Sequence, residues 1–457
     1  MDEKINSYIQ YMYSYPHKTA YRRLEDIYLQ DYMGQLSDGR AEAGCSLYFH
    51  IPFCQYKCGY CNLFSLAGAS GGFMEEYVDS MERQAEQWAE MLPGDVRFSD
   101  FTLGGGTPLI LPEHLLRRIF RIARDYFGMD CQKCPVIVET SPNQTTEEKC
   151  SLLKEEGVTR ISLGIQSFHP KELEVLHRHH PVEQAQKAIE IIQSSGIDCL
   201  NLDFIYGIPG QSIETLRDTL LRAFTYHPEE LFVYPLYIKP ETALYREQVK
   251  PSGNIAVMGR FVREFLREHG YMPYSMRRFV RQTCETLSGV RKGTSEEARS
   301  LHGEDRRRGT SPSLCGFGNT LALGCGGRSY IGNLHFCTPY AVRQESCRQI
   351  LESYIGQQDY CRPSHGFLLS GEEQRRRYVI KHILFETGID RRDYRQHFAG
   401  EPEFDFPCLK DWIADGYAVS ADDRIYLTEE GFLLSDYLGP QLISEEVRRR
   451  MDSFGRE

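Results

Sequence analysis

Between about residues 45 and 275 the apolar positions follow two alternating patterns. Short, almost continuous apolar runs read as strands: "SLYFHI" (46–51), "FTLGGGTP" (101–108), "PVIVE" (135–139), "RISLGIQSF" (160–168), "CLNLDFIYG" (199–207) and "LFVYPLY" (231–237). Between them lie segments with an apolar residue every three or four positions, the mark of amphipathic helices. "MEEYVDSMERQAEQWAEML" places Val78, Met81, Ala85, Trp88 and Leu92 near one face. "PEHLLRRIFRIARDYF" opens with proline in its first turn. "TTEEKCSLLKEEG" has a capping signature at its start and Gly157 at its end. Strands that are apolar throughout and separated by helices predict a parallel sheet covered on its faces. About six such units fit, fewer than the eight of a closed barrel. The expected fold is therefore α/β, a partial (β/α)6 TIM-like barrel over 45–275.

Outside this region the pattern changes. Residues 1–44 form an N-terminal arm. Residues 276–315 are polar and without periodicity, which predicts a poorly ordered insertion. Residues 316–366 are expected to close the barrel side. Over 367–457 a helix ("SGEEQRRRYVIKHILF") precedes a helix–strand–turn–strand–helix pattern. That order resembles a winged-helix module, and its acidic stretches favour a lid or packing role over DNA binding.

Composition narrows the function. The chain has 457 residues, 41% of them hydrophobic, which excludes wholesale disorder. Apolar runs stay well short of the roughly 18 residues of a membrane span. The N-terminal stretch lacks the basic and apolar regions of a signal peptide. A formal charge of −11 argues against nucleic acid as the main partner. Fifteen cysteines without an export signal point to a reducing cytoplasm.

Three of those cysteines, Cys54, Cys58 and Cys61, fall within "HIPFCQYKCGYCNLF". One reading is structural zinc, which needs a fourth ligand; Cys131 and Cys134 offer a second pair, at what should be the wrong end of the sheet. A second is a chance group of reduced thiols. The third is a [4Fe–4S] cluster with one iron left open for a chelating small molecule. Other residues cluster at strand ends. Gly104, Gly105 and Gly106 follow a strand, where side chains would keep a ligand from the backbone N–H groups. They lack the lysine of a phosphate loop. Glu139 ends its strand, where a carboxylate faces the ligand crevice and suits ribose hydroxyls. Gln166 also sits near a strand end. Asp203 lies inside an apolar strand and needs a partner. Each of these has a bland alternative: a tight turn, an exposed acid, a structural salt bridge.

The spacing C-x3-C-x2-C, with Tyr60 before the last cysteine, resembles the radical S-adenosylmethionine (SAM) signature. With "LYFHIPFC", "GGGTP", "RISLGIQSF" and "DFIYGIPGQ" the chain is similar to the coproporphyrinogen III oxidase-like branch of that superfamily. This branch holds the oxygen-independent coproporphyrinogen dehydrogenase, a haem chaperone and haem-degrading methyltransferase relatives. "YSYPHKTAYR" is similar to an arm found in some members.

The resemblance implies a [4Fe–4S] cluster and one or two molecules of SAM. It implies reductive cleavage of SAM to a 5′-deoxyadenosyl radical, a small-molecule substrate of tetrapyrrole or related type, and an electron donor such as flavodoxin or ferredoxin. It assigns Cys54, Cys58 and Cys61 to the cluster. Tyr48, Tyr60, Gly105, Gly106, Thr107, Glu139, Gln166, Arg178 and Asp203 fall to the cofactors. Arg178, with Gln166 and Asp203, would serve a second SAM; equally it is a solvated residue beside His177, His179 and His180, a run that reads as surface. Two positions depart from the pattern. Asn62 follows the last cluster cysteine, where the dehydrogenase has cysteine and the chaperone an acid. Arg328 replaces an apolar residue in "GCGGRSYIG". These departures point to a side branch, with haem trafficking or haem methyl transfer as alternative activities to oxidation.

Overall fold

Six strands lie side by side and parallel in chain order in the computed structural model, which describes residues 14–37, 45–282 and 317–454. They are β1 (Cys45–Ile51), β2 (Phe98–Gly105), β3 (Val136–Thr140), β4 (Arg160–Gln166), β5 (Cys199–Tyr206) and β6 (Glu230–Pro235). Six helices connect them: α1 (Gly71–Met91), α2 (Glu113–Phe127), α3 (Glu147–Glu155), α4 (Pro170–Val175), α5 (Val182–Ser194) and α6 (Ile213–Thr225). The sheet is open. Thr320–Leu323 adds a further parallel strand beside β1, and antiparallel strands follow on that side. Arg278–Arg281 pairs antiparallel with β6 at the other end. This is the expected partial barrel.

Strand alternation sorts the side chains. Leu47, Phe49 and Ile51 of β1 are fully buried toward the helices, where Phe49 meets Phe127 of α2 edge-on at 6.0 Å. Burying a side chain of that size contributes roughly 1.5–3 kcal/mol. Tyr48 and His50 point to the opposite, concave side. On α1, Val78, Met81, Ala85 and Trp88 are buried as the periodicity predicts, and the Trp88 indole N–H donates to the Tyr360 carbonyl at 2.9 Å. Leu92 lies just past the helix end and is only partly buried.

The polarity of the sequence misplaced one boundary. Residues 278–281, assigned to the polar insertion, are a sheet strand. Glu230 at the start of β6 is fully buried and pairs with both Arg160 of β4 and Arg278. An ion-paired arginine thus behaves as a core residue and hides the strand from a hydropathy reading. Residues 283–315 of the expected insertion, residue 316 of the segment after it, and 1–13 and 38–44 of the arm lie outside the described residues.

After the last sheet strand, His365–Leu368, come a helix (Gly371–Ile383), two shorter helices (Arg391–Phe398, Cys408–Ala414) and a hairpin (Ala418–Ala421 with Arg424–Leu427) joined by Ile389–Asp390. This is the winged-helix-like order. The arm packs against it: Tyr15 donates to the Glu373 carboxylate, and Arg22 to the Arg450 carbonyl and the Ser453 hydroxyl. No helix among the described residues is long and apolar enough to cross a membrane.

Candidate radical SAM site

The cysteine loop leaves the C-terminal end of β1 and is held by segments distant in sequence. The Gly59 N–H donates to the Leu176 carbonyl, and the Gly59 carbonyl accepts from Leu244. The Tyr56 ring meets His179 edge-on at 4.8 Å. On the other side, the Lys57 ammonium donates to the carbonyls of Leu63, Ser65 and Val342, and the Tyr340 hydroxyl to that of Asn62. Cys54, Cys58 and Cys61 are half-buried within this frame.

The three thiols influence one another. Burial pushes Cys54 up to about 12, and the neighbouring Cys61 and Cys58 push the same way. Cys61 is raised by burial and then by Cys58. Among the described residues, no three Cys, His, Asp or Glu side chains close on one point as a single ion requires. In a [4Fe–4S] cluster each thiolate would take its own iron. Cys131 and Cys134 sit before β3, at the opposite sheet end, with the Cys134 thiol on the Phe98 carbonyl at the start of β2. They are out of reach of the loop.

The glycine run at the end of β2 backs onto this loop. Gly105 has φ +119°, left-handed territory that favours glycine. A Cβ on Gly106 would lie 2.5 Å from the Phe53 carbonyl oxygen and 2.9 Å from the Cys54 sulfur. The Thr107 hydroxyl stands 3.8 Å from that sulfur. Glu139 reaches across from β3 and accepts the Gly105 N–H at 3.1 Å. Tyr48 comes to the same place: a Cβ on Gly104 would meet the Tyr48 hydroxyl and the Glu139 Oε2, each at 3.0 Å. Burial raises the Glu139 carboxyl pKa, while the Gly105 N–H and Arg160 work against it.

Farther along the sheet edge, Asp203 of β5 accepts from the Asn201 amide at 2.8 Å. Burial pushes its carboxyl up to about 7, partly offset by Asn201 and Arg160. Among the described residues, the partner that holds Asp203 is the Asn201 amide rather than a salt bridge. Gln166 has φ +75° at a register shift that ends β4. Its amide lies next to Gly164, as does the Arg178 guanidinium. Arg178 is directed inward, donating to the Cys58 sulfur at 3.2 Å and to the Gly164 carbonyl. Tyr60 is close enough for Arg178 and Asp203 to act on its hydroxyl. The histidine run is mixed. His179 is exposed and His177 half-buried, but His180, read as surface, is 4% exposed, and neither ring nitrogen has a partner among the described residues. Its burial follows from the turn after α4, which carries Arg178 and His180 inward on either side of His179.

Three contributors escaped the sequence reading. His50 accepts the Tyr48 hydroxyl proton on Nδ1 at 3.0 Å and donates from Nε2 to the Phe64 carbonyl at 3.1 Å. A carbonyl only accepts, so this tautomer is set by the structure. Burial lowers the pKa of His50 to about 4, keeping it neutral. The signal was period two: His50 shares the Tyr48 face, as Asn201 shares that of Asp203. Lys18, from the arm, lies 3.8 Å over the Tyr340 ring, and burial followed by Arg328 lowers its pKa to about 7. No local pattern foretold it.

These residues fit a cluster and a polar adenosyl cofactor. Arg178 Nε, Asn201 Oδ1 and Thr102 Oγ1 are buried along this edge without a partner among the described residues, and orphaned polar atoms in a crevice mark where a polar ligand belongs.

A family model for the radical SAM superfamily matches residues 48–223. The chain is 24% identical over 398 residues to the heme chaperone HemW of Bacillus subtilis, covering 86% of this chain and 97% of that protein. It is 25% identical over 439 residues to the oxygen-independent coproporphyrinogen III oxidase of Escherichia coli, covering 93% and 92%. The solved structure of the Escherichia coli coproporphyrinogen III oxidase shares the fold, with a TM-score of 0.74 at 22% identity over 94% of this chain and 96% of that one. The chain thus carries a match to the radical SAM superfamily over residues 48–223 and is similar along most of its length to the oxygen-independent coproporphyrinogen III oxidases and the HemW chaperones.

Proposed function

We propose that this protein is a radical SAM oxidoreductase acting on a tetrapyrrole or a related small molecule. Cys54, Cys58 and Cys61 would hold a [4Fe–4S] cluster and leave one iron for SAM. The observation carrying this reading is the convergence, at one sheet edge, of the three thiols with Gly105, Gly106, Tyr48 and Glu139. When bound, the two cofactors supply one-electron cleavage of a sulfonium and hydrogen abstraction from a substrate.

The chain's own residues bind and orient. Glu139 offers carboxylate oxygens suited to ribose hydroxyls, held in place by the Gly105 N–H. Gly106 and Thr107 pack on Cys54 and fix the loop that presents the thiols. Asp203, Gln166 and Tyr60 line the inner wall. The segment carrying Tyr340 and Val342 closes over the loop, and the arm lays Lys18 on Tyr340; together they exclude water. The test is anaerobic reconstitution followed by assay for 5′-deoxyadenosine. Iron uptake with SAM-dependent 5′-deoxyadenosine supports the reading, and a loaded cluster without cleavage removes it.

The likeness to HemW over 97% of that protein's length favours a second reading, a haem-carrying chaperone. A haem absorption spectrum on the purified protein, with no substrate oxidation, would select the chaperone.

A further inference from the structure

Both terminal nitrogens of the Arg178 guanidinium are engaged within the chain. The side chain is carried 120 residues from Cys58 in sequence, yet Nη1 donates to the Cys58 sulfur at 3.2 Å. Its other terminal nitrogen donates to the Gly164 carbonyl. Backbone geometry enforces this aim. His177 has φ +52°, which reverses the chain after α4, and the Arg178 N–H donates back to the Leu173 carbonyl at 2.9 Å. The Gly59–Leu176 hydrogen bond, at 3.0 Å, ties that turn to the cysteine loop. The expected role, a fork open to the carboxylate of a second SAM, needs both terminal nitrogens on one side. Here they are divided between a thiol and a strand carbonyl, and Nε is buried without a partner among the described residues.

We propose that Arg178 is a positioning residue that tunes the cluster, raising its reduction potential through the charged hydrogen bond to the Cys58 sulfur. The inference rests on the cluster assignment to Cys54, Cys58 and Cys61. Reduction adds one negative charge to the cluster. A fixed positive charge and an N–H donor at a ligand sulfur stabilise the reduced state more than the oxidised one. Arginine suits this because it stays charged at every working pH. The same side chain spans from the cysteine loop to the Gly164–Gln166 end of β4, so it holds the loop in register with the inner wall.

An EPR-monitored redox titration of the reconstituted full-length protein tests this. Arg178→Gln is expected to shift the midpoint to more negative potential while iron content and cluster signal are kept. Arg178→Lys, which retains the charge with a single donor nitrogen, should fall between Gln and wild type. An unchanged midpoint in a fully loaded Arg178→Gln protein overturns the proposal. Should that variant not hold iron, wild type decides alone: protein labelled with 15N-arginine should show a nitrogen hyperfine coupling to the reduced cluster by pulsed EPR, and its absence overturns the proposal. A wild-type protein that takes up no iron fails differently, removing the cluster assignment beneath it.

Discussion

Glu139 and Gly105 are joined across neighbouring strands, the carboxylate of one accepting the N–H of the other at 3.1 Å. The bond turns the carboxylate toward the glycine run and away from the helices. Glu139→Ala should weaken SAM binding by about 1–3 kcal/mol, the worth of hydrogen bonds to a charged acceptor. Cluster assembly should survive, because Glu139 contacts none of the three thiols. Anaerobic binding isotherms alongside iron analysis check both halves. Unaltered affinity would take Glu139 out of the pocket.

The thiols make a simpler case. Reconstituted protein should carry about four irons and absorb broadly at about 400 nm. Cys54→Ala, Cys58→Ala and Cys61→Ala should each lose most of that iron, whereas Cys131→Ala and Cys134→Ala should not. Tight zinc after aerobic purification, with no anaerobic iron uptake, would reverse the assignment.

Gly106 has no room for a side chain. Alanine there would press a methyl against the Phe53 carbonyl and the Cys54 sulfur, at 2.5 and 2.9 Å, both closer than a Cβ tolerates. Backbone cannot yield as a flexible side chain can. Gly106→Ala is expected to displace Cys54 and cut iron retention, although the residue itself ligates nothing. Full iron content in this variant would show that the loop adapts.

Asp203 gives a pH signature. Burial raises its carboxyl to about 7, above the ordinary 3.8. The folded protein therefore binds a proton more tightly than the unfolded chain. Its contribution to stability is fully present below about 3.8 and is lost as pH rises to about 7. Asp203→Asn should accordingly stabilise the apoprotein at pH 8 by roughly 1–3 kcal/mol and gain little at pH 4. Cofactor binding should respond in the opposite sense. If ribose hydroxyls need the ionised carboxylate, affinity in wild type rises through pH 7, and Asp203→Asn flattens the profile. Thermal melts and binding at pH 6 and 8 measure the two effects.

Much of this protein could be read from short stretches of its chain. Periodicity is local, so the six βα units and the buried face of α1 followed from neighbours three or four residues apart. The cysteine spacing and the glycines after β2 are local as well, since a loop of eight residues and a strand-to-turn transition leave few ways to arrange them. The family resemblance rests on the same short motifs, which is why it survived at 24% identity to the relatives.

What tertiary structure alone decided depends on pairing between distant segments. Arg278 reads as a surface charge until Glu230 is found buried beside it. The parallel strand Thr320–Leu323 joins β1 from some 270 residues away, a register no window of sequence contains. The histidine run is divided by one left-handed residue, His177, into an exposed His179 and a buried His180. Arg178 reaches Cys58 because that same turn is hydrogen-bonded to Gly59. Side-chain direction at a turn is set by the contacts that hold the turn, and here those contacts come from the far end of the barrel edge. Local sequence therefore determined which chemistry the chain carries, while long-range packing decided which groups face it.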